Sequence, residues 1–150
     1  MSSAFDISSY SFSSADRLLL DANIWLYLLG PYPPTDRRVR LYSPAFSRMV
    51  NGNSSLFVSM TILSEFINSY ARIEHRRMRP SESSNKYKSF RDSADFKPIA
   101  FDIAIASREI LNQCDKVDEG FQLYDIDSII NEYETGTVDF NDQVTVRVCT

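Results

Sequence analysis

Four acidic residues stand at positions where the side chains of an α/β protein can do chemistry. Asp21 and Glu65 each follow a short apolar run, and Asp139 and Asp142 stand at the start of the last helical pattern. Parallel strands present their carboxyl ends at one edge of a sheet, and ligands bind beside that edge. The spacing therefore predicts that carboxylates from three separate elements meet at one place.

Carboxylates that meet in this way repel one another, and a divalent cation removes the repulsion. The chain has a single histidine and two cysteines, so the donors of the predicted site are all oxygen atoms. Oxygen donors suit Mg²⁺ or Mn²⁺ rather than zinc, and such ions assist hydrolysis of phosphodiesters. The alternative is that each acid is a helix cap or a surface residue, because Asp139 and Asp142 also favour a helix N-terminus through the dipole.

Alternating short apolar runs and helical patterns predict the elements that position these acids. The predicted strands are 17–20, 56–60 and 121–124. The predicted helices are 22–29, 39–50, 62–73, 98–114, 126–133 and 139–149. Thr61 is the expected N-cap of the helix that carries Glu65. Strands that alternate with helices predict a parallel sheet with helices on both of its faces.

Composition predicts one domain preceded by an arm. The chain has 150 residues and 43% apolar side chains, enough for one core. Residues 1–16 hold seven serines and are expected to form a flexible or loosely docked arm, which leaves 17–150 as the domain. No apolar run approaches the roughly 20 residues of a membrane span, and the first residues lack the basic start of a secretory signal. We therefore expect no membrane partner and a cytoplasmic location.

Charge is distributed unevenly, with a net +4 over residues 1–100 and −8 over residues 101–150. Arg76, Arg77 and Arg79 follow the helix that carries Glu65 and are candidates to bind an RNA backbone. The alternative is a solvated helix end, where cations are also favourable. Tyr87 and Phe90 stand among basic residues, and they either stack on single-stranded bases or pack an outlying helix onto the core.

Three stretches also resemble the PIN domain family, which includes the VapC-type toxins. They are LLLDANIWLYLL at 18–29, VSMTILSEFINSY at 58–70 and VDFNDQVTVRVCT at 138–150. The resemblance implies a three-layer sandwich around a central parallel sheet and a Mg²⁺- or Mn²⁺-dependent ribonuclease. It also implies an RNA substrate and an antitoxin protein as partner, since these toxins belong to toxin–antitoxin pairs.

Carried over by position, the resemblance assigns roles to single residues. Asp21, Glu65 and Asp142 become the catalytic acids and metal ligands, and Asp139 becomes an additional ligand or a cap. Asn23 is expected to orient Asp21 or a water molecule. Trp25 and Tyr27 are expected to pack their helix, with a homodimer face as the alternative.

The sequence departs from the family at its end. Family members usually continue into a further strand with a fourth acid, whereas this sequence stops at Thr150. We expect a domain that is incomplete at its C-terminus; the alternatives are a partner chain that covers the exposed strand, or loss of activity. Two rival functions remain: an inactive PIN-like module that binds RNA or protein, and a flavodoxin-like binding or signalling domain with an acidic pocket. The sequence lacks the GxxxxGK[ST] and GxGxxG motifs.

Overall fold

A computed structural model describes residues 4–137 and 139–150 of the chain. The described part has an α/β fold with seven α-helices and three strands. The strands are β1 (Arg17–Leu19), β2 (Ser55–Val58) and β3 (Asp115–Lys116). The helices are α1 (Ala22–Leu29), α2 (Arg37–Asn51), α3 (Met60–Met78), α4 (Tyr87–Arg91), α5 (Phe96–Gln113), α6 (Ile126–Glu134) and α7 (Phe140–Val148). None of the helices in these ranges combines the length and the apolar character that a membrane crossing requires.

The strands form one parallel sheet in the order β1-β2-β3. Leu18 is paired with Leu56, and Val58 is paired with Lys116. Parallel neighbours leave the carboxyl ends of all three strands at the same edge, where α1 and α3 begin. This arrangement is compatible with a three-layer α/β fold.

The predicted position of the third strand was wrong. Residues 121–124 were expected to be extended, but Phe121–Leu123 is a 3₁₀ helix. The third strand is instead β3, whose two residues, Asp115 and Lys116, are charged and exposed. It joins the sheet through backbone pairing with β2, which an apolar side-chain pattern cannot reveal.

The predicted N-cap of the Glu65 helix was also wrong. The helix begins at Met60, and the hydroxyl of Ser59 accepts a hydrogen bond from the backbone N–H of Ile62 at 3.3 Å. Both Ser59 and Thr61 are suitable cap residues by type. The backbone decides between them, because Ser59 has an extended conformation directly after β2.

One apolar core joins the sheet to α1, α2, α3 and α5. Leu56 and Val58 of the central strand are buried in it, together with Trp25 and Phe66. The Trp25 ring is fully buried and meets Phe46 of α2 edge to face, with 5.7 Å between ring centroids. Trp25 therefore packs α1 against the core.

The described part of the N-terminal arm lies against α2 and the core. Ile7 and Phe12 pack on the core, and the Arg48 guanidinium of α2 donates a hydrogen bond to the Ile7 carbonyl. A Cβ atom at Gly52 would collide with the Phe12 carbonyl, so glycine permits this close approach. The backbone N–H of Ser55 bonds to the Asp16 carbonyl at 2.9 Å, which connects the end of the arm to β2.

Candidate functional site

Asp21 stands at the junction between β1 and α1. It is the N-cap of α1, and its carboxylate accepts a hydrogen bond from the backbone N–H of Asn23 at 3.2 Å. The side-chain amide of Asn23 donates a second hydrogen bond to the same Asp21 oxygen at 3.0 Å. Asn23 therefore holds the Asp21 carboxylate in one orientation, and the other carboxylate oxygen has no hydrogen bond to the described protein.

Glu65 is half-buried in the second turn of α3, close to the same edge of the sheet. Burial raises the pKa of Glu65, and the negative charges of Asp21, Asp139 and Asp142 raise it further. Charges act on one another strongly only at short range in a protein. The fold therefore brings the four predicted acids, from α1, α3 and α7, into one electrostatic neighbourhood.

Asp139 and Asp142 reach this neighbourhood from the start of α7. Asp139 is the N-cap, and its carboxylate accepts hydrogen bonds from the backbone N–H groups of Asn141 at 2.8 Å and Asp142 at 3.3 Å. Asp142 lies in the first turn of the same helix. The Asp139 carboxylate therefore has a structural role as a cap, whereas Asp142 takes part in the cap only through its backbone N–H.

The four acids do not form a closed metal centre. In the ranges 4–137 and 139–150, no group of three or more histidine, cysteine, aspartate or glutamate side chains is arranged to hold a metal ion. The chemistry of the donor set suits a hard cation, since all donors are carboxylate oxygens.

A polar cleft of about 520 Å³ adjoins Glu65. Its lining is mainly hydroxyl and amide side chains of α3, with one residue from α7. The lining residues are Met60, Thr61, Ser64, Glu65, Asn68, Ser69 and Asn141. Glu65 is the one charged residue among them, so the cleft offers hydrogen bonds beside a single carboxylate.

Glu119 is a further acid at this edge that the sequence reasoning missed. Its carboxylate accepts a hydrogen bond from the backbone N–H of Thr61 at 2.6 Å, at the start of α3. Burial acts to raise the pKa of Glu119, but its hydrogen bonds with Thr61 and Ser59 outweigh burial and lower the pKa. The residue follows β3, so placing the third strand correctly would have found it.

The three predicted RNA-binding arginines lie at the far end of α3. Arg76 is eleven residues beyond Glu65, or about 16 Å along the helix axis at 1.5 Å per residue. Arg77 pairs with the buried carboxylate of Glu74 at 2.9 Å. Arg76 is exposed, and the described residues form no ion pair with it. The structure therefore does not bring these arginines to the acids.

Arg79 is held in place by two carboxylates. It pairs with Asp95 at 2.8 Å and Glu82 at 3.4 Å, and its guanidinium lies 5.1 Å from the centre of the Phe90 ring. These contacts hold the segment after α3 against the start of α5. Arg79 thus has a structural function that accounts for its position.

Tyr87 and Phe90, the two aromatic residues that stand among basic residues after α3, pack onto α3. Phe90 is fully buried and lies 5.0 Å, centroid to centroid, from the ring of the buried His75. The Tyr87 ring also contacts His75, with 5.8 Å between centroids, and lies 4.7 Å from the guanidinium of Arg72. For Phe90 the packing alternative holds, because a fully buried ring presents no face to a base.

Comparison with profiles of known protein families gave no match, and no significantly similar chain was found among curated proteins or solved structures. The likeness to PIN domains therefore depends on the three stretches of sequence and on the arrangement of the acids.

Proposed function

We propose that this chain is a PIN-like, metal-dependent ribonuclease that hydrolyses RNA phosphodiester bonds. The observation that carries the proposal is the placement of Asp21 and Glu65 after the parallel neighbours β1 and β2, at the carboxyl edge of the sheet, where the charges of Asp139 and Asp142 also act on Glu65. A fold gains no stability by bringing four carboxylates together. A bound cation would offset the repulsion between these carboxylates and could then act on a phosphate substrate.

Asp21, Glu65 and Asp142 are the residues that would hold Mg²⁺ or Mn²⁺, with Asp139 beside them. When bound, the ion would polarise the phosphate and lower the pKa of a water molecule. Asn23 contributes by holding one oxygen of Asp21, which leaves the second oxygen available as a donor. The raised pKa of Glu65 means that its carboxyl retains a proton more readily than that of an exposed glutamate.

The polar cleft beside Glu65 supports the proposal, because its lining suits an RNA strand. Hydroxyl and amide groups hydrogen-bond riboses and bases without adding negative charge near a phosphate. The parallel sheet supports the proposal as well, since ligands of open α/β sheets bind beyond the carboxyl ends of the strands.

The finer parts of the proposal follow from the resemblance. In a VapC-like toxin, an antitoxin protein would bind the chain and suppress its activity in the cytoplasm. A homodimer is a further proposal of the same kind.

Cleavage of a labelled, unstructured single-stranded RNA tests the proposal. The parent chain is incubated with Mg²⁺, Mn²⁺ or a chelator, beside the Asp21→Asn, Glu65→Gln and Asp142→Asn variants. Each variant is expected to lose about a hundredfold or more in rate, because each removes a charge that would hold the ion. Glu109→Gln makes the same chemical change at an exposed position of α5 and should cleave like the parent.

A catalytically inactive PIN-like module that binds RNA or protein is the second candidate. It is favoured by the absence, in the described ranges, of a group of acids already arranged to hold an ion. RNA binding without cleavage in either metal would establish this candidate and overturn the first. Cleavage that survives all three substitutions would contradict the assignment of Asp21, Glu65 and Asp142 as the catalytic acids.

A further inference from the structure

A cluster of tyrosine and arginine side chains lies at the corner where α1 meets α2, apart from the acids. The Tyr27 ring of α1 contacts two residues of α2, Arg38 and Tyr42, which are four positions apart and so share one helix face. The Tyr42 ring is nearly parallel to it, with 5.6 Å between centroids and 10° between planes. The Arg38 guanidinium lies 4.7 Å from the Tyr27 centroid and 5.2 Å from that of Tyr32.

Asp36 fixes Arg38 within this cluster. Its two carboxylate oxygens accept hydrogen bonds from the guanidinium at 3.1 and 2.9 Å, and Arg38 holds the pKa of Asp36 down at about 2. The charge of Arg38 is thereby balanced, and the guanidinium acts as a flat stacking group. The three tyrosine rings remain only partly buried.

Arg37 and Arg40 flank the cluster and are exposed, and the described residues form no ion pair with them. They lie in the first turn of α2, which contains no acidic residue. The helix dipole disfavours positive charge at that end by about 0.3–1 kcal/mol per residue. The helix dipole therefore does not account for these two arginines, whereas it does favour Arg76 and Arg77 in the last turn of α3.

We propose that this cluster binds single-stranded RNA, with a base stacked on the partly exposed Tyr42 ring and phosphates held by Arg37 and Arg40. Aromatic rings that stack bases beside cations that hold the backbone are the usual means of binding single strands. Tyr27 lies six residues after Asp21, about 9 Å along the axis of α1, so one strand can extend from the cluster towards the acids. The inference rests on the proposed function for its ligand, RNA, and not for any step of cleavage.

The test measures binding alone, in the Asp21→Asn background and without divalent cations, by fluorescence anisotropy of a labelled 12-nucleotide oligouridine. Arg37→Gln/Arg40→Gln should weaken binding and reduce the log–log salt slope by up to about 1.4, at about 0.7 per phosphate of a single strand. The matched control is Lys97→Gln/Arg108→Gln, which removes the same charge from exposed positions of α5 and should leave the slope unchanged.

Stacking is tested separately at Tyr42. Tyr42→Leu should weaken binding about five- to a hundredfold at an unchanged salt slope, and Tyr42→Trp should restore it. An abasic oligonucleotide should show no difference between the Tyr42 variants. Circular dichroism melts check that each variant is folded.

The outcomes separate this inference from the proposed function. Equal slopes and affinities for the arginine pair and its control, or no measurable binding by the Asp21→Asn parent, would overturn the inference. Binding that depends on the cluster in a chain that cleaves no RNA with Mg²⁺ or Mn²⁺ would support the inference and contradict the nuclease proposal.

Discussion

Burial raises the pKa of Glu65 in the second turn of α3, and the carboxylate of Asp21 at the start of α1 raises it further. The two residues follow β1 and β2, which are parallel neighbours in the sheet. Their electrostatic coupling is therefore a direct result of the sheet order, and it is the basis of the proposed cation site.

Asp21→Asn should leave the fold intact while it removes cleavage. Asparagine caps a helix about as well as aspartate, so the start of α1 is retained. The substitution also removes one negative charge that acts on Glu65, so the pKa of Glu65 should fall and stability without metal should stay equal or rise slightly. Chemical denaturation in a chelator measures this. A loss of more than about 1 kcal/mol in Asp21→Asn would show that the Asp21 charge stabilises the fold. Asp21→Ala should lose stability for a different reason, because alanine cannot cap α1.

Glu65→Gln should stabilise the chain in a pH-dependent way. The folded parent holds the Glu65 proton to a higher pH than the unfolded chain, whose ordinary value is 4.5. The parent therefore loses stability as the pH rises from about 4.5 through the raised pKa. The free energy of unfolding of the glutamine variant should therefore equal that of the parent below this pH range and exceed it by a constant amount above the range. An advantage that shrinks as the pH rises would contradict the assigned direction.

Glu119→Gln should show the opposite dependence. The pKa of Glu119 is lowered, so the charged form is favoured in the folded state, where it accepts the Thr61 N–H. That stability is present above the ordinary value of 4.5 and is lost as the pH falls through the lowered pKa. The glutamine variant should thus be less stable than the parent at neutral pH and match it in acid. Parallel urea titrations of the two glutamine variants provide the comparison.

Replacement of Arg76, Arg77 and Arg79 by glutamine separates an RNA-binding role from a structural one. If all three bind phosphates, the log–log salt slope of RNA binding should fall by up to about 2. The ion pairs of Arg77 and Arg79 lead us to expect a change of at most about 0.7, from Arg76 alone.

The single variants should differ in stability. Arg77→Gln leaves the buried Glu74 carboxylate without its partner and should cost about 1–2 kcal/mol, whereas Arg76→Gln should change stability by less than about 0.5 kcal/mol. Thermal melts of the two variants measure this. Equal melting temperatures for the two variants would contradict a structural role for Arg77.

The sequence was informative where apolar pattern and chain direction determine structure. The apolar runs before Asp21 and Glu65 identified β1 and β2, and the parallel arrangement then placed both acids at one edge. β3 escaped detection because its two residues are charged and pair only through the backbone.

Contacts between distant residues were not predictable from local pattern. The pairing of Arg79 with Asp95 and the burial of Phe90 depend on how the segment after α3 folds back. A basic, aromatic segment that is solvent-exposed and one that is packed have the same composition, so only the tertiary structure distinguishes them.

The pKa of Glu65, followed by carbon NMR of its side-chain carboxyl with and without Mg²⁺, tests the central claim most directly. We expect a pKa above 4.5 in a chelator and a clear decrease on addition of Mg²⁺, because a bound cation would offset the charges of Asp21, Asp139 and Asp142. In Asp21→Asn the starting value should be lower and the response to Mg²⁺ smaller. A Glu65 pKa that does not respond to Mg²⁺ in the parent would contradict the proposal that these carboxylates share a cation.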